Sequence, residues 1–236
     1  HRIARRQRQM CIRDRYDYQS VSASASFSKS SKDNNRTIGV DAKALIDSWE
    51  IYYPRELRGQ DWVTTNQRRT YSVTFSYSQV LTKRLQGSIV MEGIQQSGLL
   101  GTPFHRVYFQ EQNDAKVENL PFNRIKIPVG LRLNYYAHDY FLFRFFVRNY
   151  WDDWGLLAQT ASVEMPIKIT RFFSVYPFYR YHTQQGSKYF KPYKEHSTTQ
   201  EFYTSDYDLA TLQSHHFGLG VHYSPVNGIA RMKIPF

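Results

Sequence analysis

The stretch that decides the fold is RIKIPVGLRLNYY, residues 124–136, in which apolar and polar side chains alternate. Its odd positions carry Ile125, Ile127, Val129, Leu131, Leu133 and Tyr135. Its even positions are basic, polar, small or Pro, with Tyr136 as the exception. A period of two puts the odd side chains on one face of a β-strand, whereas a helical period of about 3.6 would scatter them. The stretch therefore predicts a strand with one apolar face.

The same alternation recurs along most of the chain and predicts about ten strands. The other candidates are 18–27, 38–47, 70–78, 85–97, 141–148, 160–169, 173–183, 215–223 and a last one, 228–236, that the chain end cuts short. The connections between them are alternately short and long; the long ones are 52–67, 98–122 and 185–212, and the modest 151–157 is the one exception. In an antiparallel up-and-down sheet, every second connection lies at the same end. We therefore expect long loops on one side and short turns on the other.

Composition excludes several other classes of protein. The chain has 236 residues, a mean hydropathy of -0.59 and a single Cys. No run approaches the roughly 18 consecutive apolar residues of a transmembrane helix. One Cys cannot form an internal disulfide, and aromatic residues, at 17%, are too frequent for a disordered chain.

Residues 1–15, HRIARRQRQMCIRDR, are interpreted as foreign to the fold. They hold six Arg and one Asp, and therefore five of the eleven units of formal positive charge. The run resembles translated sequencing-adapter DNA, a non-native scar of the kind that is set aside before the fold is considered. Residues 16–236 are expected to form a single β-barrel domain. They carry no nucleic-acid-binding motif, so we expect no nucleic-acid partner.

The strand lengths distinguish a membrane barrel from a soluble one. The candidates run for roughly 9 to 14 residues, which suits a tilted bilayer crossing better than the usual soluble strand of about 5 or 6. We therefore predict an all-β, antiparallel, transmembrane up-and-down β-barrel, truncated at both ends. The alternative is a soluble ligand-binding β-barrel, in which Ile125, Ile127, Val129 and Leu131 would face a dry interior.

Charged residues on the polar faces are the candidates for lining the lumen. They are Arg124, Lys126, Arg132, Arg144, Arg148, Glu164, Lys168 and Arg180. A basic wall of this kind favours anions in a pore. If Asp47, Glu92 and Glu164 neutralise it, the interior is instead a closed, salt-bridged core.

Aromatic residues near strand ends are the candidates for a girdle at the membrane interface. They are Tyr135, Tyr150, Trp151, Trp154, Phe172 and Phe173.

Several linked motifs carry a resemblance to a known family. They include TPFHRVYF at 102–109, ENLP at 118–121, YWDDWG at 150–155, YFKPY at 189–193 and YTSDYDL at 203–209. Together they resemble an uncharacterised family of Gram-negative outer-membrane barrels, domain-of-unknown-function family 3570, over roughly residues 16–236. The resemblance implies a signal peptide and further C-terminal strands, so we expect this chain to be an internal fragment. It supplies no catalytic residues.

The expected function is that of a passive conduit or envelope scaffold in the cell outer membrane. The expected partners are outer-membrane lipid, small polar or anionic solutes and an envelope partner protein. We expect no catalysis, no cofactor and no metal site. The alternative is a component of an envelope flavin or electron-transfer system, or a barrel-embedded enzyme. A hydrolase would need a Ser or Asp beside a His on adjacent strands, within about 3 Å.

Overall fold

The computed structural model describes residues 6–15, 18–59 and 62–225 of the chain. The strand predicted at 228–236 lies outside the described residues, as does most of the turn expected before it.

Eleven strands of the described residues build one antiparallel sheet, in which successive long strands are neighbours. All the strands, in chain order, are β1 Arg6–Arg15, β2 Tyr18–Ser30, β3 Arg36–Trp49, β4 Gln67–Thr82, β5 Leu85–Gly98, β6 Arg106–Val107, β7 Lys116–Val117, β8 Asn123–His138, β9 Phe141–Asp152, β10 Leu157–Glu164, β11 Ile167–Lys168, β12 Phe173–Gln185 and β13 Leu212–Tyr223. The short strands β6 and β7 pair only with each other, and β11 continues the line of β10. The predicted all-β, antiparallel, up-and-down architecture is confirmed.

The first strand falls within the segment interpreted as foreign. β1 pairs with β2 along its whole length, from Arg6 opposite Phe27 to Arg15 opposite Tyr18. The origin of residues 1–15 stays a prediction.

Short connections lie at one end of the sheet and the long ones at the other, as predicted, although 153–156 at the long-loop end has only four residues. The short ones are 31–35, 83–84, 139–140 and 169–172. The connections at the opposite end of the sheet are 50–66, 99–122, 153–156 and 186–211. The helices of the described residues are two 3-10 turns, Arg55–Leu57 and Tyr207–Leu209, and neither has the length or apolarity of a bilayer-spanning helix.

A proline divides the strand predicted at 160–169. β10 ends at Glu164, and pairing resumes at Ile167 in the same register, with Phe178 and Val175 as the respective partners on β12. Pro166 lies in the gap, where it cannot donate a backbone hydrogen bond to the ladder. The interruption is therefore local, and the line of the strand continues past it.

Exposure along β4 shows which way the two faces of the sheet point. Tyr71, Val73 and Phe75 are 49%, 58% and 41% exposed, whereas the intervening Ser72 and Thr74 are half-buried. We call the apolar face the outer face and the polar face the inner face. Large apolar side chains exposed on the outer face include Val21, Phe27, Ile38, Val40, Ile46, Met91, Ile125, Ile127, Leu131, Phe145, Val147, Phe217, Leu219 and Val221.

This orientation is the opposite of the one required by a soluble barrel. Ile125, Ile127 and Leu131 are 47%, 42% and 44% exposed, and Val129 is half-buried. Burying apolar surface stabilises a protein by about 25 cal/mol per Å². An apolar face that extends over the whole sheet therefore needs an apolar partner.

The most deeply buried side chains lie among the loops at the long-loop end. Largest among them are Trp154, Phe109, His196, Val107, Val117 and Thr204. A cluster of Leu120, Trp154, Leu156, Ala158 and Leu209 joins these loops to the first residues of β10. We call residues 99–122, 153–156 and 186–211 the loop cap. The densest packing of the described residues is thus in the cap, at one end of the sheet.

Candidate functional site

The eight predicted lumen-lining residues share the inner face of the sheet. Arg148 lies opposite Gly130 of β8 and Thr160 of β10, and Thr160 in turn lies opposite His182 of β12. The same register places the remaining residues on that face: Arg124, Lys126, Arg132, Arg144, Glu164, Lys168 and Arg180. That they line a water-filled lumen stays a prediction.

Two of the eight are arginines that form ion pairs across neighbouring strands. Arg124 Nε lies 3.0 Å from Asp152 Oδ2, in a pair that is almost fully buried. Arg144 Nη1 lies 2.8 Å from Glu164 Oε1, in an exposed pair directly across from each other on β9 and β10.

The other five cations of the set have no acidic partner among the described residues. They are Lys126, Arg132, Arg148, Lys168 and Arg180. Asp47, expected to help neutralise this wall, instead binds Arg68 and accepts hydrogen bonds from Tyr18 and Ser20. The described inner face therefore keeps a local excess of positive charge.

Asp152 organises the sharp connection between β9 and β10. Its carboxylate is fully buried, and Oδ1 accepts hydrogen bonds from the backbone N–H groups of Trp154 and Leu156, at 3.0 and 3.1 Å. Oδ2 accepts from Arg124 and from the Tyr150 hydroxyl. A carboxylate that accepts backbone N–H groups two and four residues ahead stabilises a tight turn. Asp152 therefore stabilises the turn 153–156 that follows it.

Two of the six predicted interfacial aromatics do not lie on the outer face. Trp154 is only 2% exposed, because it packs in the cap core, donates from Nε1 to Asn123 O and lies under the Arg124 guanidinium at 4.2 Å. Tyr150 is half-buried on the inner face, where its hydroxyl donates to Asp152. The prediction of an interfacial position for these two side chains is wrong.

Three of the other four predicted aromatics, Trp151, Tyr135 and Phe173, lie on the outer face near strand ends, and Phe172 lies in the turn 169–172. Trp151 is 44% exposed at the long-loop end of β9. Tyr135, Phe172 and Phe173 lie towards the short-turn end, with Tyr135 41% exposed. Their contact with a membrane interface stays a prediction.

Hydrogen bonds join the two longest loops into one folded cap. Phe109 and Asn119 form β-bridges to His196 and Tyr203, respectively, and Gln110 N donates to His196 O at 2.9 Å. Thr204 donates from its hydroxyl to Glu118 Oε2 at 2.5 Å, and Thr102 N donates to the other carboxylate oxygen. Because Glu118 is only 5% exposed, burial raises the pKa of its carboxyl group above the ordinary value.

For two exposed carboxylates at the rim of the cap, the pKa is lowered instead of raised. The pKa of Glu111 is lowered, chiefly because the backbone N–H of Thr198 donates to it. The pKa of Glu56 is lowered by a hydrogen bond from the Arg106 guanidinium, which links the loop 50–66 to the cap. Asp206 caps the 3-10 turn by accepting a hydrogen bond from Asp208 N at 3.0 Å.

A cavity of about 260 Å³ lies between the cap and the inner face. Its lining residues are Arg124, Arg148, Tyr150, Leu156, Ala158, Thr160, His182, Gln184, Asp208 and Leu209. The loop 186–211 is held over this part of the sheet because Gln184 Nε2 donates to the carbonyls of Asp208 and Ala210, at 2.9 and 2.8 Å. The loop therefore narrows the inner side at the long-loop end.

Two histidines on the inner face, His182 and His216, contact neighbouring side chains. His182 Nδ1 lies 2.8 Å from Thr160 Oγ1, and His216 stacks on Phe178. His182 lies opposite Ser214, and His216 lies opposite Arg180, so the two histidines are diagonal neighbours. In the part of the chain that the structure describes, no group of three or more His, Cys, Asp or Glu residues could hold a metal ion.

The cavity contains residues that the sequence did not single out. Thr160 and Gln184 were simply polar members of alternating strands, and Leu209 lies in a long loop. The parity of each strand would have placed Thr160 and Gln184 on the inner face. No local pattern indicates that residues 208–209 fold back over them.

The sheet has an exposed apolar outer face, a polar inner face and folded loops at one end. These features define an all-β protein built on one antiparallel, up-and-down sheet. The chain belongs to the family described as "Protein of unknown function (DUF3570)", whose model matches residues 12–233. The resemblance found in the sequence is thereby confirmed. The search of curated proteins finds no match.

Among solved structures, the chain is similar to one described as "NanC porin structure in rhombohedral crystal form". The two are 12% identical in sequence, and the match covers 87% of this chain and 94% of that one, with a TM-score of 0.35.

Proposed function

We propose that the chain is part of a closed, transmembrane β-barrel in the outer membrane of a Gram-negative bacterium, where it acts as a passive conduit for small polar or anionic solutes. The proposal rests on the difference between the two faces of the sheet. The outer face exposes aliphatic and aromatic side chains, and the inner face carries arginines and lysines. In hydrocarbon, each unpaired backbone N–H or C=O costs several kcal/mol, so a sheet surrounded by lipid has to close.

The unpaired inner-face cations favour anions over cations as the permeating solutes. Lys126, Arg132, Arg148, Lys168 and Arg180 have no carboxylate partner in the described residues, so their charge is available to attract anions.

Envelope scaffolding is the second candidate function, and the folded loop cap favours it. Loops 99–122 and 186–211 pack on each other and cover part of the inner face. A rigid surface of this kind suits a partner protein in the envelope.

Catalysis is not part of the proposal. Thr160 and His182 lie on adjacent strands with their side chains 2.8 Å apart, which is the nearest arrangement to the Ser-His or Asp-His pair required of a hydrolase. In a catalytic triad a carboxylate orients the histidine. No carboxylate in the described residues is hydrogen-bonded to His182, which supports a binding role for the pair.

Reconstitution of the full chain in planar lipid bilayers tests the conduit. We expect discrete current steps and a reversal potential in a KCl gradient that indicates a preference for chloride. Folded, membrane-inserted protein that gives no current would contradict the conduit and leave scaffolding as the supported function.

A further inference from the structure

The cavity beneath the cap combines the size and the polarity of a site for a small charged group. At about 260 Å³ it is just below the range of roughly 300–1,000 Å³ that is typical of pockets for drug-sized ligands. Its floor consists of inner-face side chains from β8, β9, β10 and β12, and its roof is Asp208 and Leu209 of the cap. A group entering along the inner face would meet this cavity before it reached the cap.

Of the two arginines that line the cavity, one has its charge balanced by a carboxylate and the other does not. The guanidinium of Arg124 is engaged by Asp152 and stacks on Trp154, so its charge is largely balanced. Arg148 forms no ion pair or side-chain hydrogen bond among the described residues, and its side chain is exposed to the inner side. Arg148 therefore supplies a guanidinium with its hydrogen-bond donors free.

The residues opposite Arg148 carry no charge on one side and supply hydrogen-bond donors on the other. Gly130 lies opposite it on β8 and brings no charge, and the ring of Phe146 lies 3.4 Å from where a Cβ of Gly130 would be. Thr160 lies opposite on β10, with His182 next in the same row. Arginine and neutral donors thus form a line across three strands.

The Thr160–His182 hydrogen bond presents a free donor in either tautomer of the ring. If Nδ1 accepts from the Thr160 hydroxyl, Nε2 carries the hydrogen and can donate to a ligand. If Nδ1 donates to Thr160 Oγ1, the hydroxyl hydrogen is free to donate instead. A neutral donor therefore accompanies the Arg148 guanidinium in both cases.

Asp208 is the one carboxylate among the residues lining the cavity, and it opposes an anion. It lies in the roof and is exposed to solvent, so its charge is screened more strongly than a buried one. Lys126, on the same face and next to Arg124 along β8, adds positive charge nearby.

We propose that this cavity binds a small oxyanion, a carboxylate or phosphate group, through the Arg148 guanidinium together with the Thr160–His182 pair. The planar fork of arginine matches two oxygens of either group. The site lies at the end of the inner face that the cap narrows, so it selects among the solutes of the proposed conduit. This site specifies the solutes of the proposed conduit, so it rests on the proposed function.

Calorimetric titration of the full chain in detergent micelles tests the site without any need for conduction. The probes are inorganic phosphate and acetate, each at constant ionic strength. We expect millimolar or tighter binding of at least one probe, and Arg148→Gln should weaken it by about tenfold or more. Thr160→Val should weaken it several-fold, and Asp208→Asn should strengthen it.

Arg132→Gln is the matched control, because Arg132 lies on the same face and outside the cavity lining. It should leave binding within about twofold of wild type. The preferred probe distinguishes a phosphate group from a carboxylate group as the natural ligand.

Equal losses in Arg148→Gln and Arg132→Gln would mean a diffuse charge effect and would overturn the site, as would the absence of binding of both probes to folded wild-type protein. Binding without bilayer current would retain the site and refute the conduit. Bilayer current without Arg148-dependent binding would retain the conduit and refute the site.

Discussion

The hydroxyl of Thr204 donates a hydrogen bond of 2.5 Å to the carboxylate of Glu118, although 86 residues separate the two in the chain. Both side chains are almost fully buried, with exposures of 0% and 5%. This contact joins the two longest loops, so the cap behaves as one folded unit.

Replacing Thr204 with Val should loosen the cap. Valine keeps the shape but leaves a buried carboxylate oxygen without a donor, a loss of about 1–3 kcal/mol. Hydrogen exchange should report faster opening in 99–122 and 186–211. The control is Ser205→Ala, which removes an exposed hydrogen bond to Arg106 O and should have little effect. Equal protection of the cap in Thr204→Val and wild type would contradict this role.

The stability of the cap should also fall as pH rises. Burial raises the pKa of Glu118 above its ordinary value of 4.5, so the folded cap favours the protonated form. That contribution to the free energy of cap opening is complete below pH 4.5 and is lost as pH rises through the raised pKa. Protection factors, corrected for the intrinsic pH dependence of exchange, should therefore decrease over that range. Glu118→Gln should remove this part of the pH dependence, and an unchanged slope in that variant would refute the assignment.

Asp152 and Glu164 offer a direct comparison of a buried and an exposed ion pair. Asp152→Ala leaves the Arg124 charge unpaired in a site where its side chain is 12% exposed, and should cost about 3–5 kcal/mol. Glu164→Ala breaks the exposed pair with Arg144 and should cost less than about 1 kcal/mol. Urea unfolding in lipid vesicles measures both free energies. Similar losses for the two variants would show that burial of the Asp152 pair does not determine its contribution.

Gly98 has a backbone conformation that other residues rarely adopt, with φ at 100°. A Cβ added there would lie 2.1 Å from the carbonyl oxygen of Gln67 on the neighbouring strand. Gly98→Ala should therefore destabilise the end of β5 by about 1–3 kcal/mol. Gly93→Ala is the control, because a Cβ at Gly93 meets nothing within 4 Å. Unfolding midpoints that shift equally in both variants would contradict the strain at Gly98.

Strand positions were predictable from the sequence because each residue faces one of two very different environments. The period of two in 70–78 located β4, although the strand extends to Gln67 and Thr82. The ends were missed because the polar run 67–69 at one end and the adjacent apolar residues Val80 and Leu81 at the other break the alternation while the backbone pairing continues.

The inner face was predictable for the same reason. The two wrong aromatic assignments, Tyr150 and Trp154, have different causes. Tyr150 has the same parity as Arg144 and Arg148, so alternation alone would have placed it inside. Trp154 lies beyond the end of β9, where parity no longer applies. Its position depends on packing against Tyr189 and Leu209, which no local pattern encodes.

The loop cap was predictable only as a set of long loops at one end. Its structure depends on contacts such as Phe109 with His196 and Glu118 with Thr204, between segments that are far apart in the chain. Side-chain periodicity carries no information about such pairs.

The most direct test of the account is whether the outer face meets hydrocarbon. Val73 and Thr74 are neighbours on β4, and Val73 is 58% exposed on the outer face whereas Thr74 is half-buried on the inner face. In a Cys11→Ser background, which removes the one thiol of the chain, Val73→Cys and Thr74→Cys can each carry a small fluorescent label in lipid vesicles. A quencher attached to the lipid acyl chains should strongly quench the label at 73 and leave the label at 74 accessible to a water-soluble quencher. The reverse pattern, or equal quenching at both positions by the lipid-borne quencher, would contradict the account.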